Sequence, residues 1–302
     1  GVALSSTLVF DHPTARQLAA VLQPRADEVL RLAAGSRPDS HDAPTDTPIS
    51  ISGLSALLPF GAASPCAMIS AIACCTTAIS EVPSTRWDVH QSAVALREPV
   101  ASRVRHGGFV IGSELVDNAA FSVAPAEAAA MDPQQRLLLE YGYAALHNAT
   151  LERLALGGSL SGVFLGIAST EFALVLTSSP AGASVYAATG SSLSIASGRL
   201  SYVLGLHGPC VSYDTACSAA LVACHAGLRA LQLDECVTGL VAGITLMLAP
   251  GTGTSFAIAG MTSARGRSHT FDARADGYAR GEGCGAIALS RRRGQRPEAP
   301  GL

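Results

Sequence analysis

The chain has 302 residues and a formal net charge of −3, with 48% hydrophobic and 14% charged residues. So few charges indicate a thick layered fold or a subunit contact that buries much of the surface, and they give no electrostatic reason to expect nucleic acid or an anionic membrane as a partner. All 20 basic residues are arginines, which excludes Schiff-base chemistry and a Walker-type phosphate loop, because both require a lysine amine.

The first 47 residues differ in composition from the rest. Residues 1–23 join a short apolar segment to a helix that begins near Pro13, and residues 24–47 have the Pro, Ser and Asp content of a linker. No signal peptide stands at the start, and no apolar run has membrane-spanning length. The eight cysteines show neither a C-x-x-C pair nor zinc spacing. We therefore expect reduced thiols, no metal and a cytoplasmic location, an organelle such as a plastid being an open alternative.

From residue 48 onward, strand and helix patterns alternate. A strand at 48–53 precedes a helix that Ser64 caps, with Pro65 at its first position, and Asp132 with Pro133 repeats this arrangement before a helix at 134–145. Further strands are predicted at 163–167, 209–213 and 237–246, and further helices at 193–204, 218–233 and 253–259. Such alternation predicts an α/β sheet covered on both faces. The arginine-rich residues 291–302 are expected to form a disordered, solvated tail.

The segment DTACSAAL, residues 214–221, places Cys217 between a strand that reads as buried and an Ala- and Leu-rich helix. Unpaired N–H groups and the positive end of the helix dipole favour an anion at such a turn. A thiol held there is expected to ionise more easily than a free thiol near pH 8.5, as a nucleophile requires. The local pattern fits a buried, inert cysteine equally well.

Longer stretches resemble a known family. Residues 198–221 closely resemble the nucleophile region of the β-ketoacyl synthases (ketosynthases) of modular type I polyketide synthases and type I fatty acid synthases. Four further motifs agree with that family in order and spacing: ISEVPSTRWD at 79–88, AEAAAMDPQQRLLLE at 126–140, GVFLGIAST at 162–170 and GMTSARGRSHTFDARADGYARGEGCGAIAL at 260–289. In the family, the second of these is a long helical insertion and the last contains the strand that closes the N-terminal half.

The resemblance implies a thiolase-like layered αβαβα fold, of which residues 48–290 would form mainly the N-terminal half. Residues 4–22, with FDHPT before an apolar helix, resemble the last helices of an acyl carrier protein. The implied reaction is a decarboxylative Claisen condensation with a malonyl-type extender. Its substrates travel on the phosphopantetheine of an acyl carrier protein, so that no cofactor is bound directly. The implied partners are that carrier, a second copy of the chain and neighbouring synthase domains.

Four residues are singled out on this basis. The resemblance makes Cys217 the acyl acceptor and places Ile195 where the family lines its acyl pocket across the dimer interface, although simple packing would explain Ile195 equally well. Glu282, between two glycines, could order the site through hydrogen bonds, or it could only form a turn. Asp214 is expected to cap the turn before Cys217, with a direct electrostatic role as the alternative.

The family also uses two histidines, in EAHGTGT-like and NIGH-like motifs of its C-terminal half, and neither motif is present here. His225 follows Cys217 by eight residues on the same predicted helix, a rise of about 12 Å, too far for a general base. The chain is therefore expected to be unable to complete condensation alone. One alternative is a non-catalytic remnant that acts as a dimerisation or docking scaffold. Another is a thiolase-type acyl-CoA enzyme, which the carrier-like start and the linker disfavour.

Overall fold

The computed structural model describes residues 48–94 and 96–291. The predicted carrier-like segment 1–23, the linker 24–47 and the tail after Arg291 lie outside the described residues. Within the described part, no helix is long and apolar enough to cross a membrane. The strands there are β1 (Ile49–Leu57), β2 (Ser80–Glu81), β3 (His106–Gly107), β4 (Ser161–Gly166), β5 (Cys210–Tyr213), β6 (Thr238–Thr245) and β7 (Gly283–Arg291).

Helices occupy most of the connections between these strands. They are α1 (Pro65–Ala73), α2 (Val89–Val94), α3 (Val100–Arg103), α4 (Pro125–Ala130), α5 (Pro133–Asn148), α6 (Arg153–Leu156), α7 (Glu171–Thr177), α8 (Ala187–Gly190), α9 (Leu193–Leu204), α10 (Ala219–Gln232) and α11 (Pro250–Ile258). Both predicted caps are confirmed. The Ser64 hydroxyl accepts the Ala67 N–H at 3.1 Å, and the Asp132 carboxylate accepts the Gln134 N–H at 2.8 Å.

Five strands form one mixed sheet in the order β1-β7-β6-β4-β5, and β2 pairs with β3 in a separate ribbon. Strand β4 runs parallel to β5 and β6, whereas β7 runs antiparallel to β6 and β1. The carboxyl ends of β4, β5 and β6 therefore meet at one edge of the sheet. In open α/β sheets this edge is where ligands bind.

Helices α5 and α9 pack on one face of the sheet, and α10 packs on the other. Leu138, Leu200 and Leu240, all fully buried, belong to the main core between the sheet and the first face. The predicted α/β sheet is confirmed. Among the described residues, however, α10 packs mainly on β4, β5 and β6 of the second face and reaches only part of β7. An apolar groove of about 340 Å³ runs beside α10 over β1 and β7.

The helical insertion implied at 126–140 consists of α4 and α5, with the predicted cap Asp132 between them. Asp132 has φ −51° and ψ 129°, because the residue before a proline is disfavoured in the helical region. One prediction about an element needs correction. The strand expected to be buried before the nucleophile, β5, is an edge strand within the described residues. It pairs only with β4, and its residues Cys210 and Val211 are exposed. The prediction failed because so short a strand pattern does not distinguish an edge strand from an interior one.

Candidate active site

Cys217 lies at the carboxyl edge of the sheet, between β5 and α10. A 3₁₀ turn, Ala216–Ser218, follows the strand, and α10 begins at the next residue. The Cys217 side chain is exposed. The alternative of a buried cysteine is therefore wrong, and the thiol is open to a reactant from outside.

The turn that carries Cys217 is held in an uncommon conformation. Ala216 has φ +54°, in the left-handed region that residues with a Cβ rarely adopt. The Asp214 carboxylate accepts the Ala216 N–H at 3.1 Å, and the Ser218 hydroxyl donates to the Thr215 carbonyl oxygen at 2.8 Å. These two bonds hold the turn on both sides of the thiol.

The backbone N–H of Cys217 donates to no acceptor among the described residues. An unpaired N–H at the start of a helix points towards the side where an anion is favoured. This amide is therefore available to an oxyanion that forms on a group bonded to the Cys217 sulfur.

Two glycines let the first turn of α10 approach the sheet closely. A Cβ on Gly166, at the end of β4, would lie 2.4 Å from the backbone nitrogen of Ala220. A Cβ on Gly243, in β6, would lie 2.7 Å from the Ala220 Cβ. Since neither strand can carry a side chain there, small residues on both sides set the height of Cys217 above the sheet.

Asp214 and Ile195 occupy different surroundings. Asp214 forms the capping bond to Ala216 described above, as expected for a turn residue. Ile195 is half-buried on α9, the helix that precedes β5. The Ser212 hydroxyl of β5 donates to the Leu193 carbonyl at 2.8 Å and lies 2.9 Å from the Ser197 hydroxyl. These contacts join the helical turn that contains Ile195 to the strand that leads to Cys217.

Glu282 does not bond to the nucleophile turn; it joins three other segments. Its carboxylate accepts the Nε–H and Nη2–H of Arg86 at 3.0 and 2.9 Å, the Val110 N–H at 2.8 Å and the Met247 N–H at 3.0 Å. The Glu282 side chain is 0% exposed and that of Arg86 7%. Sequence reasoning missed Arg86, although both residues lie in family-like motifs, because 196 positions separate them.

Other cysteines and histidines differ from this arrangement. Burial raises the pKa of the Cys236 thiol to about 11 and that of Cys284 to about 12, so both stay protonated and are poor nucleophiles. His225 is exposed on α10, two turns beyond the start of the helix. No group of three or more His, Cys, Asp or Glu residues that could hold a metal ion occurs in the part of the chain that the structure describes.

Comparison with known proteins agrees with this geometry. The sequence model of the family "Beta-ketoacyl synthase, N-terminal domain" matches residues 46–294. Polyketide synthase GfsB from Streptomyces halstedii is 39% identical over 96% of this chain, which spans 5% of that protein. Pikromycin polyketide synthase component PikAII from Streptomyces venezuelae is also 39% identical over 96% of this chain, here 8% of the relative.

Solved structures give the same result. The ketosynthase from module 6 of the bacillaene synthase from Bacillus subtilis 168 superposes with a TM-score of 0.71 at 34% identity, covering 80% of this chain and 40% of that one. For the oxazolomycin ketosynthase domain from Streptomyces albus JA3453, the TM-score is 0.72 at 29% identity, with 81% and 43% covered. The predicted thiolase-like fold class is confirmed. The chain belongs to the β-ketoacyl synthase family, whose N-terminal domain it contains, and its relatives are modular polyketide synthases.

Proposed function

We propose that Cys217 accepts an acyl chain from the phosphopantetheine thioester of an acyl carrier protein. The thiolate attacks the thioester carbonyl carbon and forms a carbon–sulfur bond, and a tetrahedral oxyanion results. Its collapse breaks the bond to the carrier sulfur, which leaves as a thiolate and takes up a proton. The observation that carries this proposal is the exposed Cys217 whose own amide N–H is free to stabilise the oxyanion.

The acyl-enzyme then takes part in a decarboxylative Claisen condensation. A carrier-bound malonyl-type extender loses CO₂, and the resulting carbanion attacks the acyl carbon, which releases the Cys217 thiol. The family's two histidine motifs for this step do not occur in these 302 residues. The solved ketosynthases are more than twice as long as the part that this chain matches. We therefore expect the chain alone to perform acyl transfer but not condensation.

The same proposal includes the partners. The carrier protein supplies the phosphopantetheine, so the chain itself binds no cofactor, and neighbouring synthase domains pass the substrates on. A homodimer is supported by strand β5, which is an open edge among the described residues next to the nucleophile turn. Tyr202 on the adjacent α9 is 89% exposed, as a residue of a subunit contact would be in one isolated copy.

Mass spectrometry of the intact chain tests the acyl transfer. The 302-residue protein is incubated with an acylated carrier, and the modified peptide is mapped. One acyl group on Cys217 is expected, and Cys217→Ala should abolish it. Cys210→Ala is the matched control, since Cys210 is also exposed but lies at the opposite end of β5.

Three outcomes would contradict parts of the proposal. Acylation spread over Cys66, Cys74, Cys75 and Cys210, and unchanged in the Cys217→Ala variant, would leave only the scaffold alternative. Equal transfer from acyl-CoA and from the acylated carrier would favour a thiolase-type enzyme. A condensation product formed by the chain alone would show that the missing histidine motifs are not required.

A further inference from the structure

A small cavity of about 20 Å³ lies away from Cys217, between the β2–β3 ribbon and the loops after β6. Its apolar wall contains Trp87, Phe109 and Met247, which belong to a separate small core. Its polar wall contains Arg103, His106, Thr254, Thr262 and Arg280. A cavity needs about 10–15 Å³ to hold one water molecule, so this one has room for a single atom of that size or slightly larger.

Three polar atoms of the lining residues are buried without a hydrogen-bond partner in the described part of the chain. They are Nε of Arg103, Nδ1 of His106 and Oγ1 of Thr262, and Thr262 as a whole is 4% exposed. A buried polar group without a hydrogen-bond partner is unfavourable, and three of them among the residues around one cavity indicate that something occupies it. The Arg103 Nε–H can only donate, and the other two groups can also donate.

The charge around the cavity is positive. Arg103 uses its Nη1 for the carbonyl oxygens of Gly260 and Thr262, and Arg280 lies over the Phe256 ring at 5.2 Å. Neither guanidinium has a carboxylate within 4 Å among the described residues. The neighbouring acid, Asp276, accepts from Ser263 at 2.6 Å and pairs with Arg265. The Ser263 hydrogen bond and, at longer range, the charges of Arg265 and Arg103 lower the pKa of Asp276, so this one carboxylate offsets only part of the positive charge near the cavity.

We propose that this cavity binds one monatomic anion of the size of chloride. A water molecule can accept only two hydrogen bonds and must donate two, so it fits a shell of donors poorly, whereas a halide accepts from all three groups. The anion also offsets part of the positive charge of Arg103 and Arg280, which apolar Trp87, Phe109 and Met247 partly shield from solvent. The anion thereby links the segments that carry Arg103, His106 and Thr262. The site is also lined by Met247, whose N–H donates to Glu282.

Thermal unfolding of the full chain in matched salts tests the site. Ionic strength is held constant while sodium chloride replaces sodium gluconate, whose anion is too large for the cavity. With chloride at about ten times its Kd, the unfolding midpoint should rise by about 3–6 °C beyond the general salt effect. Thr262→Val removes one donor without a change in shape, and most of the chloride-dependent rise should disappear.

Thr254→Val is the matched control, because its hydroxyl lines the same cavity but already donates to the Pro250 carbonyl at 2.9 Å. This variant should keep the chloride-dependent rise. Comparing the variants removes the general effect of each salt on stability. Identical chloride responses in the original chain and the Thr262→Val variant would overturn the proposal.

Crystals soaked in bromide give an independent result. An anomalous peak in the cavity of the original chain, weaker in Thr262→Val crystals, is expected. Density without an anomalous signal would mean that the cavity holds water only, and the proposal would then be wrong. Neither measurement depends on activity, so its outcome is separate from the test of Cys217.

Discussion

Glu282 holds together loops that are distant in sequence. Four N–H groups donate to its two carboxylate oxygens, and two of them belong to the nearly buried guanidinium of Arg86. These bonds join the segment around residue 86, the chain at Val110 and the chain after β6 at Met247. The last of these leaves the same sheet edge that carries the nucleophile turn. Glu282 has no hydrogen bond to the Asp214–Ser218 turn, and we expect its role to be the positioning of these loops.

Replacing Glu282 by Gln should therefore destabilise the fold strongly. Gln keeps the shape but cannot accept from all four donors, and it leaves the Arg86 charge buried without a counter-charge. We expect a loss of about 3–5 kcal/mol in the free energy of unfolding, measured by urea denaturation. A double-mutant cycle with Arg86→Met tests the pair. The loss of stability in the double variant should be at least about 1 kcal/mol smaller than the sum of the losses in the two single variants.

The control for this cycle is Asp272→Asn. Asp272 pairs with Arg274 at 2.7 Å on the surface, where the Arg274 side chain is 66% exposed. Little change in the urea midpoint is expected there, because solvent screens such a pair. Equal losses in the Glu282 and Asp272 variants, or strict additivity in the cycle, would contradict the structural role given to Glu282.

Asp132 makes stability depend on pH. Burial raises the pKa of its carboxyl to about 6 from an ordinary 3.8, against the lowering effect of two hydrogen bonds from Gln134. The folded chain therefore binds this proton more tightly than the unfolded chain. The contribution of Asp132 to stability is then fully present below about pH 4 and is lost as the pH rises through 6, by about 3 kcal/mol at most.

Asp132→Asn should flatten this dependence. Asn caps helices as well as Asp does, so the bond to the Gln134 N–H can be kept while the titrating group is removed. Urea unfolding at pH 4.5 and pH 7.5 measures the effect. The original chain should lose more stability than the variant between these two values, and parallel losses would show that another group dominates.

At the scale of elements, the position of Cys217 depends on how closely α10 approaches β4. Gly166→Ala would place a Cβ within 2.4–2.7 Å of three backbone atoms of Ala219 and Ala220, which cannot rotate away. We expect a loss of about 1–3 kcal/mol in stability and a changed alkylation rate at Cys217 relative to the exposed Cys210 in the same molecule.

Gly198→Ala is the matched control for that substitution. A Cβ on Gly198, inside α9, meets no heavy atom within 4 Å. Ala is the better helix former, so this variant should be as stable as the original chain or more stable by up to about 1 kcal/mol. If both variants alkylate Cys217 at the original rate relative to Cys210, the close approach of α10 does not set the thiol's reactivity.

Element positions could be predicted from sequence where local chemistry decides them. The Ser64 and Asp132 caps, each followed by proline, indicated where α1 and α5 begin, and α9 has the predicted bounds. The strand order could not be predicted, since β1 pairs with β7 and no local pattern encodes a partner more than 200 residues away. For the same reason the Arg86–Glu282 pair was missed, although each of its motifs was noticed.

The burial of an element was harder to predict from sequence than its position in the chain. Helix α1 was predicted as a helix, yet it has no buried residue among those whose burial is described, and Ile69 and Ile72 are 61% and 68% exposed. A helix with so many apolar residues is ordinarily covered by other elements. Met68 of α1 also lines the groove of about 340 Å³. Together they form a large apolar surface on the face opposite α5 and α9. Nothing in the periodicity of α1 distinguishes a covered helix from an open one.

At the scale of the whole molecule, the proposed homodimer makes β5 a strand that another copy can extend. Exposed strand edges associate readily unless a charge or proline blocks them, and β5 carries neither. Val211→Lys puts a charge on this edge, where the native side chain is 38% exposed. We expect the variant to sediment as a monomer at concentrations where the original chain is a dimer, while its circular dichroism stays the same.

Val237→Lys separates edge pairing from a general effect of charge. Val237 is 61% exposed and directly precedes β6, which β4 separates from β5 in the sheet. This variant should remain dimeric, because no strand edge is altered. If it dissociates as readily as Val211→Lys, β5 is not the contact, and the exposed apolar surface of α1 and its groove becomes the better candidate for the interface. Dissociation of an Ile72→Lys variant would then identify that surface. If the original chain is already monomeric, the proposed homodimer itself is wrong.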